Sequence, residues 1–323
     1  MGREQCQICG EWDIRKAGSI EGIKYSPGEF FDLMRCDGCG ITFIGIDTGP
    51  DFIATYYPEN YKPHNPNIHK TFHIRKTIMR GIRSIVFGKT GRKSRFFFGH
   101  MKRIISSLYN KTAYRSIPFF RGEGILLDIG CGIGNYLRLL QDIGWTVHGV
   151  EPVEKAAVFA QNSGLSVNHI RYEEAEYPGQ FFDVVTMWHV LEHFSDPKKI
   201  LQKVSKMLKD DGLFLIGIPN YDSFDRRIFQ KYWNGFEIPL HLYHFTPDSI
   251  RKALTTAGFR CITIIHTIRP TDMVSSFENC FDSVLKKKSI LTRVVFHLIS
   301  IPFSFFFSVL KRSSIIVVFA EKK

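Results

Sequence analysis

The 323-residue chain is predicted to fold as a doubly wound α/β sheet preceded by a small cysteine-bound module. Three features predict it. From Gly124 onward, short apolar runs alternate with helical patterns, the order that builds a parallel sheet covered on both faces. Residues 125–137, ILLDIGCGIGNYL, end an apolar run in Asp128 and turn through Gly130, Gly132 and Gly134 into a helical pattern. Ahead of them, Cys6-x-x-Cys9 and Cys36-x-x-Cys39 form two pairs with 26 residues between.

A hydrophobic content of 44% supports a sizeable core and excludes global disorder. The net charge of +12 is concentrated in one place. Residues 62–121 hold 15 of the 43 Lys and Arg and no Asp or Glu, which leaves 28 basic against 31 acidic residues elsewhere. Such a segment suits an anionic surface or substrate, whether phospholipid, a phosphorylated sugar carrier or nucleic acid. Residues 1–20 lack the apolar run of a secretory signal, so a reducing cytoplasm is expected and disulfides are not.

The two CxxC pairs can each give two thiolates from a tight turn to one tetrahedral zinc ion. Gly10 and Gly40 directly follow the second cysteine of each pair. Four cysteines close the coordination shell, so the expected zinc is structural and staples a ribbon over 1–48 that is too small for its own core. Residues 49–121 follow as a basic, mostly helical lid or linker. Tyr56, Tyr57 and Tyr61 lie in it, either packing on the ribbon or covering a ligand. The piece 96–109, FFFGHMKRIISSLY, mixes aromatics with Lys102 and Arg103 as surface-binding helices do.

In the remaining part, 122–323, strands are expected at 126–129, 145–150, 166–170, 182–187, 213–218, 259–265 and 315–321. Helices are expected at 134–143, 153–162, 197–208 and 247–257, the third capped by Asp196. Glu151 lies 23 residues after Asp128, at the carboxyl end of the second strand. A carboxylate there can accept both hydroxyls of a ribose. The GxGxG spacing lacks the extra residue of the dinucleotide fingerprint, so a nucleoside without a pyrophosphate is expected.

LDIGCGIG, the acid Glu151, FDVVTMWHVLEHFSDP and LFLIGIPN together resemble the class I S-adenosylmethionine-dependent methyltransferases. The nearest group includes ubiquinone-pathway O-methyltransferases and deoxysugar methyltransferases, and the cysteine pairs resemble those preceding the deoxysugar C-methyltransferases. The resemblance covers roughly 122–265 and implies a Rossmann-like seven-stranded sheet whose last strand inserts beside the sixth. It implies that Asp128, Gly130, Gly132 and Gly134 cradle the methionine part of the cofactor and that Glu151 holds its ribose. Met187 and Trp188 would line the cofactor, and Glu173 or Glu174 would stand near the adenine. Cys131, inside the turn, is expected to be a small buried filler.

The sulfonium is an activated methyl donor, so the protein has to align the acceptor and remove its proton. Histidine titrates near neutrality, which makes His189, His193, His241 and His244 the base candidates, with Glu192 beside them. Relatives often carry Arg where Leu240 stands, so a directly paired anionic acceptor is not expected there. Trp233, Gly235 and Phe236 are expected to shape the same pocket.

Between the sixth and seventh strands the chain makes an apolar detour at about 286–312. Residues 294–310, VVFHLISIPFSFFFSVL, carry no formal charge, with Lys286, Lys287 and Lys288 before and Lys311 and Arg312 after. Pro302 and the return to a final strand favour an interfacial dip over a span. A lid or dimer patch is the remaining reading. The whole chain thus reads as a cytoplasmic methyltransferase, peripheral at the inner membrane surface, acting on a small-molecule or lipid-linked acceptor such as a sugar or quinone-like compound. A nucleic-acid methyltransferase is the rival in chemistry, but Trp188-His-Val-Leu191 stands where base-methylating enzymes carry NPPY. An inactive binding protein with the same fold is the rival in class. The acceptor atom and the oligomeric state are not legible.

Overall fold

A computed structural model describes residues 5–45, 55–57, 86–87, 99–113, 115–282 and 290–323. Most of the basic segment, most of the tyrosine-bearing loop and the lysine run 286–288 lie outside the described residues. The chain forms two compact units. One is drawn from Met1–Pro58, Leu191–Gln202 and Gly217–Val318, the other from Glu59–Val190, Lys203–Ile216 and Phe319–Lys323.

The N-terminal part is an antiparallel ribbon of β1 (Ile14–Glu21), β2 (Phe30–Cys36) and β3 (Thr42–Ile44). Helix α1 (Gly99–Thr112) is the described part of the expected basic helices. There follow β4 (Ile125–Ile129), α2 (Asn135–Gln141), β5 (Thr146–Glu151), α3 (Glu154–Asn162), β6 (Ser166–His169) and β7 (Phe182–Trp188). Then come α4 (Pro197–Met207), β8 (Leu208–Pro219), α5 (Phe224–Phe229), β9 (Tyr243–His244), α6 (Pro247–Thr256) and β10 (Phe259–His266). Helices α7 (Pro270–Asp282) and α8 (Ile290–Val309) precede the last strand, β11 (Ile315–Lys322).

Seven strands form one sheet in the order β10-β11-β8-β7-β4-β5-β6, with β4 parallel to β5 and β7 and β5 parallel to β6. This is the expected doubly wound, Rossmann-like α/β fold, and β11 is the strand inserted beside β10. Every residue of β7 is buried, as a central strand covered on both faces requires. Helix α6 starts where Thr246 and Ser249 cap each other reciprocally, with Pro247 at its first position.

Two elements differ from the sequence expectation. The fifth strand begins at Leu208 and not near 213, so Asp210, Asp211 and Gly212 lie in a strand although their composition favours a turn. Charges override that local preference: Lys209 Nζ reaches Asp183 Oδ1 at 3.0 Å and Lys322 Nζ reaches Asp210 Oδ1 at 2.9 Å. The second difference is a four-stranded sheet, β1-β2-β3-β9, in which Thr42 faces His244 and Phe43 faces Tyr243. Among the described residues, no helix is long and apolar enough to cross a membrane.

Candidate functional site

Strand β4, inside the sheet, delivers Asp128 fully buried near its carboxyl end. Thr186 Oγ1, on neighbouring β7, donates to its Oδ1 at 2.6 Å, and Arg115 Nη1 stands 3.4 Å from its Oδ2. Burial pushes the Asp128 carboxyl up to about 6, against the opposing pull of Arg115 and Thr186. Arg115 also stacks over the Tyr136 ring at 5.5 Å.

The chain then turns. Gly130, Gly132 and Gly134 have φ of 69°, 57° and 77°, the left-handed region that other residues avoid. A Cβ on Gly130 would fall 2.5 Å from Val190 Cγ2, and one on Gly134 would fall 2.3 Å from Leu165 Cδ1. Glycine is therefore demanded twice over, by conformation and by packing.

Glu151, at the end of β5, closes on this turn. Its Oε2 accepts the Gly132 N–H at 2.8 Å and its Oε1 accepts the Val153 N–H at 3.0 Å. Burial raises its pKa, and the two amide donors resist that rise. Met187 and Trp188 are buried at the end of β7, and Trp188 meets Tyr136 edge-on at 5.5 Å. The expected set thus comes together as acid, glycine bend, second acid and aromatic wall. A carboxylate oxygen is an acceptor that can take more than one donor, which suits ribose hydroxyls. Two buried carboxyls and aromatic faces also suit a cationic sulfonium. Glu173 and Glu174 are exposed, and Cys131 is a buried filler as expected.

The histidines fall into distinct surroundings. His189 follows β7 with φ of 58°, an uncommon backbone for a residue with a side chain. His193 closes a 3₁₀ turn, Leu191–His193, and its ring meets His241 edge-on at 4.7 Å. Tyr57 Oη lies 3.1 Å from His193 Nδ1. Burial, reinforced by His241, pushes His193 down to about 4. His241 Nδ1 is 2.9 Å from the Gly235 carbonyl, so that nitrogen carries a proton. Its Nε2 faces Glu237 Oε2 at 3.6 Å and Glu192 Oε1 at 3.9 Å. Burial raises the Glu192 carboxyl. Ligand atoms of Glu192, His193 and His241 lie within 4.8 Å of one another, a set that could also hold a divalent cation. His244 is stacked on Tyr221 at 5.4 Å and flanked by Phe236, and burial pushes it down to about 3.

The four cysteines converge. Sγ atoms of Cys6 and Cys39 are 3.7 Å apart and those of Cys9 and Cys36 are 3.5 Å apart, with all four within 4.8 Å. Ligands at about 2.3 Å from a tetrahedral centre are about 3.8 Å from each other, so the group has the size for one metal ion. Backbone bonds Gly10 N to Cys6 O and Gly40 N to Cys36 O, both 2.8 Å, shape the two knuckles.

Sequence reasoning misses Arg115, Thr186 and Glu237. Glu237 stands four residues before His241, a spacing that could have flagged it, whereas neither of the others lies in a recognisable pattern.

Residues 97–264, or 168 of 323, match the family described as a methyltransferase domain. The chain is similar to a ubiquinone biosynthesis O-methyltransferase of Shewanella sp. (strain ANA-3), 33% identical over 102 residues, 29% of this chain and 43% of that protein. The protein of the same name from Colwellia psychrerythraea is 37% identical over 103 residues, 29% of this chain and 42% of that protein. The chain thus spans less than half the length of these relatives. Among solved structures it is similar to a SAM dependent methyltransferase from Archaeoglobus fulgidus, with a TM-score of 0.45 and 19% identity over 68% of this chain and 94% of that one.

Proposed function

Since this chain belongs to the methyltransferase-domain family, we propose that it moves a methyl group from S-adenosylmethionine to a small-molecule or lipid-linked acceptor at the cytoplasmic face of a membrane. The observation that carries the reading is the Glu151–Gly132 bond, which sets an acid suited to a ribose against the glycine bend. The relatives' name favours a quinone-like hydroxyl acceptor, and the cysteine cluster leaves a sugar as the other choice.

S-adenosylmethionine supplies the activated methyl group when bound. The chain's residues do the rest. Gly130, Gly132 and Gly134 would give the bend for the methionine part, next to Asp128, which Thr186 and Arg115 fix. Glu151 would accept the ribose hydroxyls, with Met187 and Trp188 as a wall. Among His189, His193, His241 and His244, the base is assigned to His241, because Glu237 and Glu192 face the nitrogen that would gain the proton. Burial disfavours protonation of His193 and His244. The cysteine cluster takes zinc as a structural ion.

Calorimetry with S-adenosylmethionine tests the reading. Binding that weakens about tenfold or more in Glu151→Ala is expected. Wild-type protein that takes up no S-adenosylmethionine overturns it. Labelled methyl transfer into lipid-extract or soluble-extract fractions then identifies the acceptor, and label appearing in nucleic acid alone would replace the acceptor class proposed.

A further inference from the structure

Helix α8 is apolar on the wrong side for a helix packed on a water-soluble fold. Its inward stripe is Ser300, Ser304, Phe307 and Ser308, all buried. Leu298, Ile299, Phe303, Phe305, Phe306 and Val309 point outward and are exposed. Leu298 is 62% exposed while Ser300, two residues on, is 2% exposed. A surface helix in water has the reverse arrangement, with its apolar stripe on the core. Helices in lipid pack small residues against protein and leave large apolar ones for hydrocarbon.

The inward serines are committed. Ser304 Oγ accepts the Arg269 N–H at 2.6 Å, and Ser308 Oγ donates to the His266 carbonyl at 2.6 Å. The helix cannot roll its apolar side inward without giving up both bonds. Nor does it cross a bilayer. It lies in an excursion between β10 and β11, which are neighbours in the sheet, and the Thr267 amide meets the Ile315 carbonyl at 3.2 Å. Both ends of the excursion therefore return to one place.

Charge chooses the occupant. Residues 283–320 contain six Lys and Arg and no Asp or Glu. Arg293 is engaged by Glu278 and Arg312 by Asp222, which leaves Lys311, exposed just past the end of α8. Two copies meeting on this side would oppose like charges, whereas anionic headgroups would neutralise them.

We propose that α8 is a lipid-docking helix whose outward side lies at the headgroup–acyl boundary of a bilayer containing anionic lipid. This rests on the membrane-face reading above and adds the surface and the lipid charge. The test is sedimentation of the full chain with phosphatidylcholine vesicles, with and without about 30% phosphatidylglycerol. Wild type is expected to follow the phosphatidylglycerol vesicles in a salt-sensitive way. Leu298→Ser/Phe305→Ser/Phe306→Ser should lose about tenfold or more of that partition while binding S-adenosylmethionine as before. A second variant guards against misfolding: Phe305→Trp should add indole emission that brominated lipid quenches. Wild type that ignores both vesicle types, a triple variant that partitions normally, or added emission from Phe305→Trp that brominated lipid leaves unquenched overturns the proposal. A wild-type dimer that the triple variant dissolves also overturns it, since the occupant is then a second copy. Failure to bind S-adenosylmethionine would instead sink the methyltransferase reading and leave the vesicle result standing.

Discussion

The Gly132 amide donates to the Glu151 carboxylate at 2.8 Å, joining the glycine bend to the end of the adjacent strand. The other carboxylate oxygen takes the Val153 amide, so Glu151 satisfies two backbone donors with two acceptor oxygens. Glutamine has one acceptor oxygen and would set its NH₂ against the remaining N–H. Glu151→Gln should therefore lower stability by about 1–3 kcal/mol even without ligand, a loss that the urea midpoint reports. An unchanged midpoint would mean that the two amides do not depend on a carboxylate.

Asp128 makes stability depend on pH in a stated direction. Its folded-state pKa is raised by burial from 3.8 to about 6. Between those values the unfolded chain has lost the proton and the folded chain has kept it. Stability should fall as pH rises through that window and level off above it, by about 3 kcal/mol in all. Asp128→Asn should remove this component, seen as a flatter difference curve between pH 4 and 7 in urea unfolding. Arg115→Met should carry the decline to higher pH, because Arg115 now opposes the rise. A difference curve that climbs with pH would contradict the assignment.

His241 and His193 are separable by kinetics. His241→Asn should cost about two to four orders of magnitude in kcat, with S-adenosylmethionine affinity kept. Tyr57→Phe removes the hydroxyl beside His193 Nδ1 and should cost less, because the pKa of about 4 keeps His193 neutral near pH 7. Single-turnover methyl transfer from labelled donor would measure both. Equal losses would assign the proton to the Tyr57–His193 pair.

Metal removal should act beyond the cysteines. β3 pairs with β9, the Ile44 amide bonds the Leu242 carbonyl at 2.9 Å, and the Leu242 amide bonds the Glu192 carbonyl at 2.8 Å. One zinc per chain is expected by atomic absorption, and Cys36→Ser should lose it. Hydrogen exchange should then speed up at Ile44 and Leu242. Faster exchange confined to residues around the cysteines would refute the coupling.

Parts of this architecture are legible from local spacing, and parts are not. The Asp128–Gly134 turn, Glu151 and the four cysteines can be read because their chemistry depends on neighbours in sequence. Thr186 cannot, since a threonine in an apolar strand looks like ordinary β-propensity. Nor can the pairing of Thr42 with His244, which joins residues far apart in the chain. The start of β8 misleads because Lys209 pairs with Asp183 and Asp210 with Lys322, partners that no window around Asp210 and Asp211 contains.

The β3–β9 pairing has a consequence for engineering. Grafting the 237–244 loop onto another methyltransferase would strip His244 and Tyr243 of the backbone partners supplied by Thr42 and Phe43. Exchange of acceptor preference between homologues should succeed only when the cysteine-bearing module travels with the loop, as one inheritable cassette.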